Sequence, residues 1–368
     1  MQEISRVLHL VNGEHYAGAE RVQDLLAGKI KDFGHEMGFV CLKQGMFAES
    51  RQSQDTPLIR FPMRSNLDIR VAQHVSDYAM KYQYSLIHTH TPRSALIGMV
   101  VSLRTGLPMV HHVHSPSIAD TENALRNFRN SALEKVCLMR AARLIPVSAS
   151  LEKYLLDKGH SASKIRMVAN GVPIRENASG LRYEGKELVL GTVALFRPRK
   201  GTEVLLRAIA RLRNSGLDVR LHAVGQFETG AYEESVMQLV ERLGLQDAIT
   251  WTGFTSDVFA EFSKMHVFVL PSLYGEGMPM VVLEAMSTGL PVISTTVEGI
   301  PEVVREGHEG LLVAPESVKD IAEAIRKAVD GSVDLAAMGE SGLQRQRDHF
   351  SDVSMARGVA AVYQELLQ

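Results

Sequence analysis

Through residue 180 the chain alternates short apolar runs rich in β-branched residues with longer stretches whose apolar positions recur every three or four residues. "RVLHLVN", "GFVCLK", "SLIHTH", "PMVHHVH", "RLIPVS" and "KIRMVANG" have strand length. "AERVQDLLAGKIKDF", "IRVAQHVSDYAMKY", "ALIGMVVSLRT" and a segment near 121–142 have helical period. From residue 188 the rhythm restarts, with "LVLGTVA", "VRLHAVG", "AITWTGF", "VFVLPS", "PVISTT" and "EGLLVAP" separated by helical segments such as "EVLLRAIARLRN" and "DIAEAIRKAV". Strand and helix in alternation predict βαβ units around a parallel sheet. The expected class is therefore α/β, with two doubly wound domains facing a cleft, at 1–174 and 188–350. The polar stretch "PIRENASGLRYEGKE" (173–187) reads as their linker. A last amphipathic segment, 351–368, is expected to pack back as a helix, with the N-terminal domain as the candidate surface.

Length supports that division, since 368 residues exceed what one core usually organises. No apolar run approaches the ~18 residues of a membrane span, and "MQEISRVLHLVN" lacks the h-region of a secretory signal. A cytoplasmic protein is expected. Cys41 and Cys137 sit in apolar contexts without ligand spacing and read as buried free thiols. The net charge of −2 conceals an asymmetry: residues 1–180 carry 22 Lys+Arg against 16 Asp+Glu, a balance of +6, leaving −8 for the remainder. A basic first half fits an anionic acceptor, peripheral contact with a phospholipid surface, an acidic partner domain or a merely solvated face. Nucleic acid is disfavoured, because no dense basic run carries interleaved aromatics.

Ligands of open α/β sheets bind beyond the carboxyl ends of strands. After "VFVLPS" comes "LYGEGMPMVVLEAMSTG", which places Glu276 in a loop and Glu284 inside a helix, with Pro279 in its first turn and Gly289 at its end. At ~1.5 Å per residue the two carboxylates stand roughly 10 Å or more apart. That is too far for an acid and nucleophile pair. They read instead as two anchors for one long ligand, with the helix-start N–H groups near Gly277, Met278 and Pro279 offering a phosphate seat between them. The plainer reading is an exposed loop glutamate and a salt-bridged rim glutamate.

"EGMPMVVLE" followed by "AMSTGLPVISTTVEGIPEVVREGHEGLLV" resembles the donor-site region of the retaining GT-B glycosyltransferases of family 4, and the resemblance covers most of the chain. It implies two Rossmann-like domains in a GT-B arrangement. It also implies that Glu276 holds hydroxyls of the transferred sugar and Glu284 the nucleotide ribose. "GTVALFRPRKGTEVLL" puts Arg197, Arg199 and Lys200 after a strand, where fixed cations stabilise a departing diphosphate. Lys200 matches the family lysine. The family arginine position is Leu195 here, and Arg197 is the nearest guanidinium. By the same resemblance "EHYAGAER" matches a Gly-Gly-x-Glu loop, with Ala17 for the first glycine. Gly18 would approach the donor phosphate or acceptor, and Glu20 would brace the helix.

The paired histidines "HTH" and "HHVH" share faces at period two. No acidic or Cys partner lies at ligand spacing, so the expectation is no metal site. By resemblance His114 acts beside the donor sugar, while His88, His90 and Arg93, with His15 and Tyr16, line the acceptor side. No Asp-x-Asp motif occurs anywhere in the chain. "ANGVPI" has Pro173 in a family aspartate position, and "VEGIPE" has Glu298 for a glycine, with Gly299 as helix-start structure. The expected protein is a metal-independent retaining hexosyl- or related transferase, with no cofactor beyond its nucleoside-diphosphate-sugar donor and with a glycan, lipid-linked or small-molecule acceptor, in surface polysaccharide or glycolipid synthesis. The alternatives are an inactive nucleotide-sugar-binding or scaffold subunit and a nucleotide-sugar epimerase of the same fold. Base, sugar, acceptor and oligomeric state are not legible.

Overall fold

The computed structural model describes residues 4–65, 67–116, 135–175 and 183–367. The expected helix near 121–142 therefore lies largely outside the described residues, as does the middle of the expected linker. The chain forms two compact units, one of Met1–Gly171 with Asp352–Gln368 and the other of Val172–Ser351.

In the first unit, β1 (Ser5–Val11), β2 (His35–Cys41), β3 (Leu58–Arg60), β4 (Leu86–Thr89), β5 (Met109–Val113) and β6 (Arg143–Pro146) form one parallel sheet in the order β3-β2-β1-β4-β5-β6. Helices on both faces explain why β1, β4 and β5 are buried along nearly their whole length, histidines included. Thr91 starts one of them, Pro92–Thr105, through a reciprocal capping box with Ser94. The order reverses between β1 and β4, which opens a crevice at their carboxyl ends. "KIRMVANG", expected as a strand, forms only an isolated bridge at Ile165. Its Arg166 and Val168 amides donate to Leu144 and Pro146 carbonyls, but Pro146 has no N–H to continue the ladder.

The closing helix Asp352–Leu367 belongs to this unit, where it packs on Gly18–Lys29. Tyr363 on its inner face is completely buried, and Glu365 on its outer face bridges Arg143 and Arg166 at 2.9 Å each.

The second unit contains β7 (Leu188–Val193), β8 (Val219–Val224), β9 (Ile249–Gly253), β10 (Val267–Leu270), β11 (Val292–Thr295) and β12 (Gly310–Val313), parallel in the order β12-β11-β10-β7-β8-β9. Here the reversal lies between β7 and β10. Val172 joins this unit because its amide donates to Phe350 O at 2.9 Å and its carbonyl accepts from Gln346 Nε2 at 2.8 Å.

Candidate functional site

Three loops leave the carboxyl ends of β7, β10 and β11, and backbone bonds knit them together. Leu273 N donates to Arg199 O at 2.8 Å, and Gly299 N to Glu276 O at 3.0 Å. Gly201 sits at φ +68°, where a Cβ would stand 2.0 Å from Pro271 O, so the first two loops can meet this closely only at glycine.

Glu276 is 5% exposed at the meeting point. Its Oε1 accepts from Lys200 Nζ in a short hydrogen bond, from Ser272 Oγ at 2.7 Å and from Arg199 Nη1 at 3.5 Å. Burial alone would push this carboxyl up, but Lys200 and Arg199, with the serine hydroxyl, hold it below the usual carboxylate value. Burial lowers the Lys200 ammonium, and Glu276 opposes that shift. Every hydrogen bond that the described residues give the carboxylate ends on Oε1. Oε2 is thus the oxygen left to accept from a ligand.

Glu298 fixes the same loop from the other side. Its carboxylate accepts from the backbone N–H of Gly275 at 2.9 Å and, in a shorter bond, from that of Glu276. It does so at φ +40°, a left-handed conformation that a non-glycine residue adopts at a cost. Gly277 and Met278 are buried in the same loop. Pro279, expected inside the first helical turn, is instead the extended N-cap residue of Met280–Ser287. Glu284 lies on that helix with 1% exposure, and Gly289, at φ +76°, follows the helix end.

Arg197 reaches Glu228, at 3.4 Å, while the guanidinium beside Glu276 belongs to Arg199. By sequence, Arg197 stands with Lys200 as the guanidinium nearest the family position, whereas the structure turns Arg199 to Glu276, because side-chain directions in a short turn are unreadable without its backbone.

In the first unit, β1, β4 and β5 place His9, His88, His90, His112 and His114 in one ladder of rings. Successive ring centroids lie 4.5 Å apart for His9 and His88, 4.4 Å for His88 and His90, and 4.4 Å for His112 and His114. Burial pushes His114 down to about 4 and His9 to about 3, and lowers the other three as well. All five are neutral imidazoles at neutral pH. Gln23, from the helix Gly18–Lys29, stands between His9 Nδ1, 3.0 Å from its Oε1, and His114 Nε2, 3.3 Å from its Nε2. Neither Gln23 nor Tyr363 was singled out by the sequence. Both sit on amphipathic helical faces where a buried polar residue looks like any other.

The expected acceptor-side residues separate. His88 is fully buried, 2.6 Å from Tyr363 Oη through its Nδ1. His90 is 6% exposed, and the Tyr16 hydroxyl donates to Asp24 at 2.6 Å. His15 is exposed, and with Arg93 and Lys43 it surrounds Glu14 electrostatically at the ends of β1 and β4. Gly18 opens its helix at the surface, where a Cβ would meet nothing within 4 Å. Glu20, two residues on, reaches back to the backbone N–H of Ala17, which lacks a side-chain cap of its own.

With both loop systems in place, the comparison with known proteins is specific. Residues 16–176 match Glycosyltransferase Family 4, and residues 174–345 match Glycosyl transferases group 1. The chain is a member of this glycosyltransferase family. The glycosyltransferase is 27% identical over 325 residues to an MMP alpha-(1->4)-mannosyltransferase of Mycolicibacterium hassiacum, covering 83% of this chain and 76% of that one. It is 26% identical to a D-inositol 3-phosphate glycosyltransferase of Segniliparus rotundus, over 78% of this chain and 67% of the relative. Among solved structures, HepE of Anabaena in complex with UDP and glucose superposes with a TM-score of 0.86 at 21% identity, over 98% of this chain and 99% of that one. Sucrose-phosphate synthase of Thermosynechococcus elongatus gives 0.85 at 24% identity, over 98% and 99%. The fold of this glycosyltransferase is accordingly GT-B, with two Rossmann-like domains. Among its described residues no helix is long and apolar enough to cross a membrane.

Proposed function

We propose that this glycosyltransferase moves a sugar from a nucleoside diphosphate to an acceptor hydroxyl with retention at the anomeric carbon and without a metal ion, in the assembly of a polysaccharide or glycolipid. The observation that supports this most is the Glu276 carboxylate. It is ionised, clamped through Oε1 by Lys200 and Ser272, and presents Oε2 as an acceptor for sugar hydroxyls. Glu284 takes the ribose, and the start of the helix Met280–Ser287 takes the diphosphate. Lys200 and Arg199 stabilise the charge that grows on the leaving group, the work a metal performs elsewhere. A carboxylate already holding a lysine and a serine is a poor nucleophile, so same-face attack fits better than a covalent intermediate, with the leaving phosphate taking the acceptor's proton. His114 orients the donor sugar. The nucleotide complex of HepE and the names of the curated relatives support the donor class. A cytoplasmic location, with the basic first unit against an anionic lipid surface, is part of the same reading.

Thermal shift with UDP-, GDP- and ADP-sugars in EDTA, on the wild type and Glu284→Ala, tests the donor site, and NMR of the product tests the stereochemistry. One nucleotide series should stabilise only the wild type, and the product should keep the donor's anomeric configuration. A glycosyl adduct trapped on Glu276, or stabilisation only with added divalent metal, would overturn the reading. Binding without turnover at any acceptor would favour a scaffold subunit.

A further inference from the structure

The histidine ladder offers more nitrogens than the fold uses. His112 is fully buried, and neither of its nitrogens has a hydrogen-bond partner among the described residues; the same holds for His88 Nε2 and His114 Nδ1. Each such group left unmatched costs about 1–3 kcal/mol. Stacking accounts for the ring faces, as between His88 and His112 at 10° and 5.5 Å, but not for the ring edges.

Two triplets bring their ligand atoms within 4.8 Å of one another: His9 with His88 and His90, and His90 with His112 and His114. The first is largely committed. His9 holds Gln23 and Tyr363 at 3.0 Å each, and His88 Nδ1 holds Tyr363. In the second, His90 Nδ1 faces His114 Nε2 at 3.4 Å. That is long for a hydrogen bond between two ring nitrogens. It equals the edge, about 3.4 Å, of a tetrahedron whose nitrogens lie 2.0–2.1 Å from a central zinc ion. The ring centroids of the triplet are 4.4, 5.6 and 5.9 Å apart, with His112 and His114 stacked at 23° and His90 tilted against both.

We infer that His90, His112 and His114 form a binding site for one divalent transition cation of the zinc class, with a fourth position for water on the side of His114. Three imidazoles suit zinc, cobalt and nickel and exclude magnesium and calcium, which need oxygen ligands. The surrounding chain can hold the displaced proton. Gln23 Oε1 favours a proton on His9 Nδ1, which leaves His90 to donate weakly from Nδ1. Ligation through His90 Nδ1 requires the opposite setting, in which His90 Nε2 donates to His9 Nδ1, His9 Nε2 to Tyr363, and Tyr363 to His88, at the cost of the N–H that Gln23 Oε1 accepts from His9. Each partner of this chain lies within 3.0 Å of the next. Such outer partners orient metal-binding histidines.

The ion is not needed for sugar transfer. A consequence that rests on the proposed role of His114 is that it inhibits transfer reversibly, by occupying that imidazole. The direct test uses the full-length protein, stripped with EDTA and dialysed, without any donor. Zn2+ is titrated in competition with a chromophoric chelator, and Co2+ by its ligand-field absorption. One ion per chain is expected, tetrahedral by the Co2+ spectrum, with zinc absorption fine structure showing imidazole nitrogens at about 2.0–2.1 Å. His112→Phe and His114→Ala should each weaken binding by at least about 10-fold, while the exposed His15→Ala retains it. Circular dichroism shows which variants are folded, and the metal distances in the wild type need no variant at all. Absence of stoichiometric binding to the wild type, or equal affinity in folded His112→Phe and His114→Ala proteins, would overturn the site while leaving the transferase reading untouched.

Discussion

Lys200 donates to Glu276 Oε1 inside the second unit, and the two residues come from loops that leave neighbouring strands, β7 and β10. Both side chains are nearly enclosed, at 13% and 6% exposure, so neither charge is tolerable without the other. Lys200→Met strands a buried carboxylate and should cost about 3 kcal/mol or more. Adding Glu276→Gln to it should recover most of that stability and none of the activity. Urea unfolding of the two single variants and the double variant, alongside product formation, measures both. Additive stability losses would show that the pair is not coupled.

Glu298 holds the Gly275 and Glu276 amides with one carboxylate at a left-handed φ. Glu298→Gly relieves that backbone strain, worth about 1–2 kcal/mol, and removes both hydrogen bonds. The two effects oppose each other, so the melting temperature should move little. The loop loses its fixed position, however, and donor affinity should fall by roughly 10-fold, about 1.4 kcal/mol. Calorimetric titration with the stabilising nucleotide sugar decides this. Unchanged affinity would make Glu298 a fold residue only.

Strand and helix order were legible because βαβ units write apolar runs and helical periods directly into the chain, and the carboxyl-end rule led straight to Glu276, Lys200 and the histidine pairs. What was not legible depends on directions rather than positions. Arg197 and Arg199 are two residues apart in one turn, yet one reaches Glu228 and the other Glu276. His88 and His90 share a face with His112 and His114, as period two requires, but His88 is also met by a helix more than 250 residues further on. Tyr363, on that helix, closes the ladder from a segment whose sequence shows only an amphipathic stripe. Glu298 did leave a signal, as a carboxylate in a glycine position of the family pattern. Its meaning needed the amides it faces.

Tyr363 Oη stands 3.0 Å from His9 Nε2 and 2.6 Å from His88 Nδ1, with no exposure. Tyr363→Phe keeps the ring and removes the hydroxyl that hydrogen-bonds the closing helix to these two histidines. Leaving two buried nitrogens unmatched should cost about 2 kcal/mol. Glu365→Gln, on the exposed face of the same helix, should cost about 1 kcal/mol or less, because surface ion pairs contribute little. Amide hydrogen exchange of residues 352–367 should accelerate in the tyrosine variant and scarcely change in the glutamate variant. The reverse order would place the anchoring of the helix in its surface charges.

Glu20 gives a pH dependence with a definite sign. Burial pushes its carboxyl from an ordinary 4.5 up to about 7, against the backbone N–H groups of Glu20 and Ala17 that favour the charged form. Between those two values the folded chain keeps a proton that the unfolded chain has released. Its contribution to stability is therefore full below pH 4.5, falls as the pH rises, and is gone above pH 7. The slope is at most about 1.4 kcal/mol per pH unit for one group. Glu20→Gln retains an oxygen for the Ala17 amide and carries no charge to desolvate, so it should be more stable than the wild type at pH 8 and nearly equal to it at pH 4.5. Other groups titrate in the same window, the buried histidines above all, and taking the difference between the two proteins removes them. Urea midpoints at four pH values across this range give that difference directly. Parallel curves for the two proteins would mean that Glu20 is hydrated in the folded state, and that the start of the helix Gly18–Lys29 is open to water.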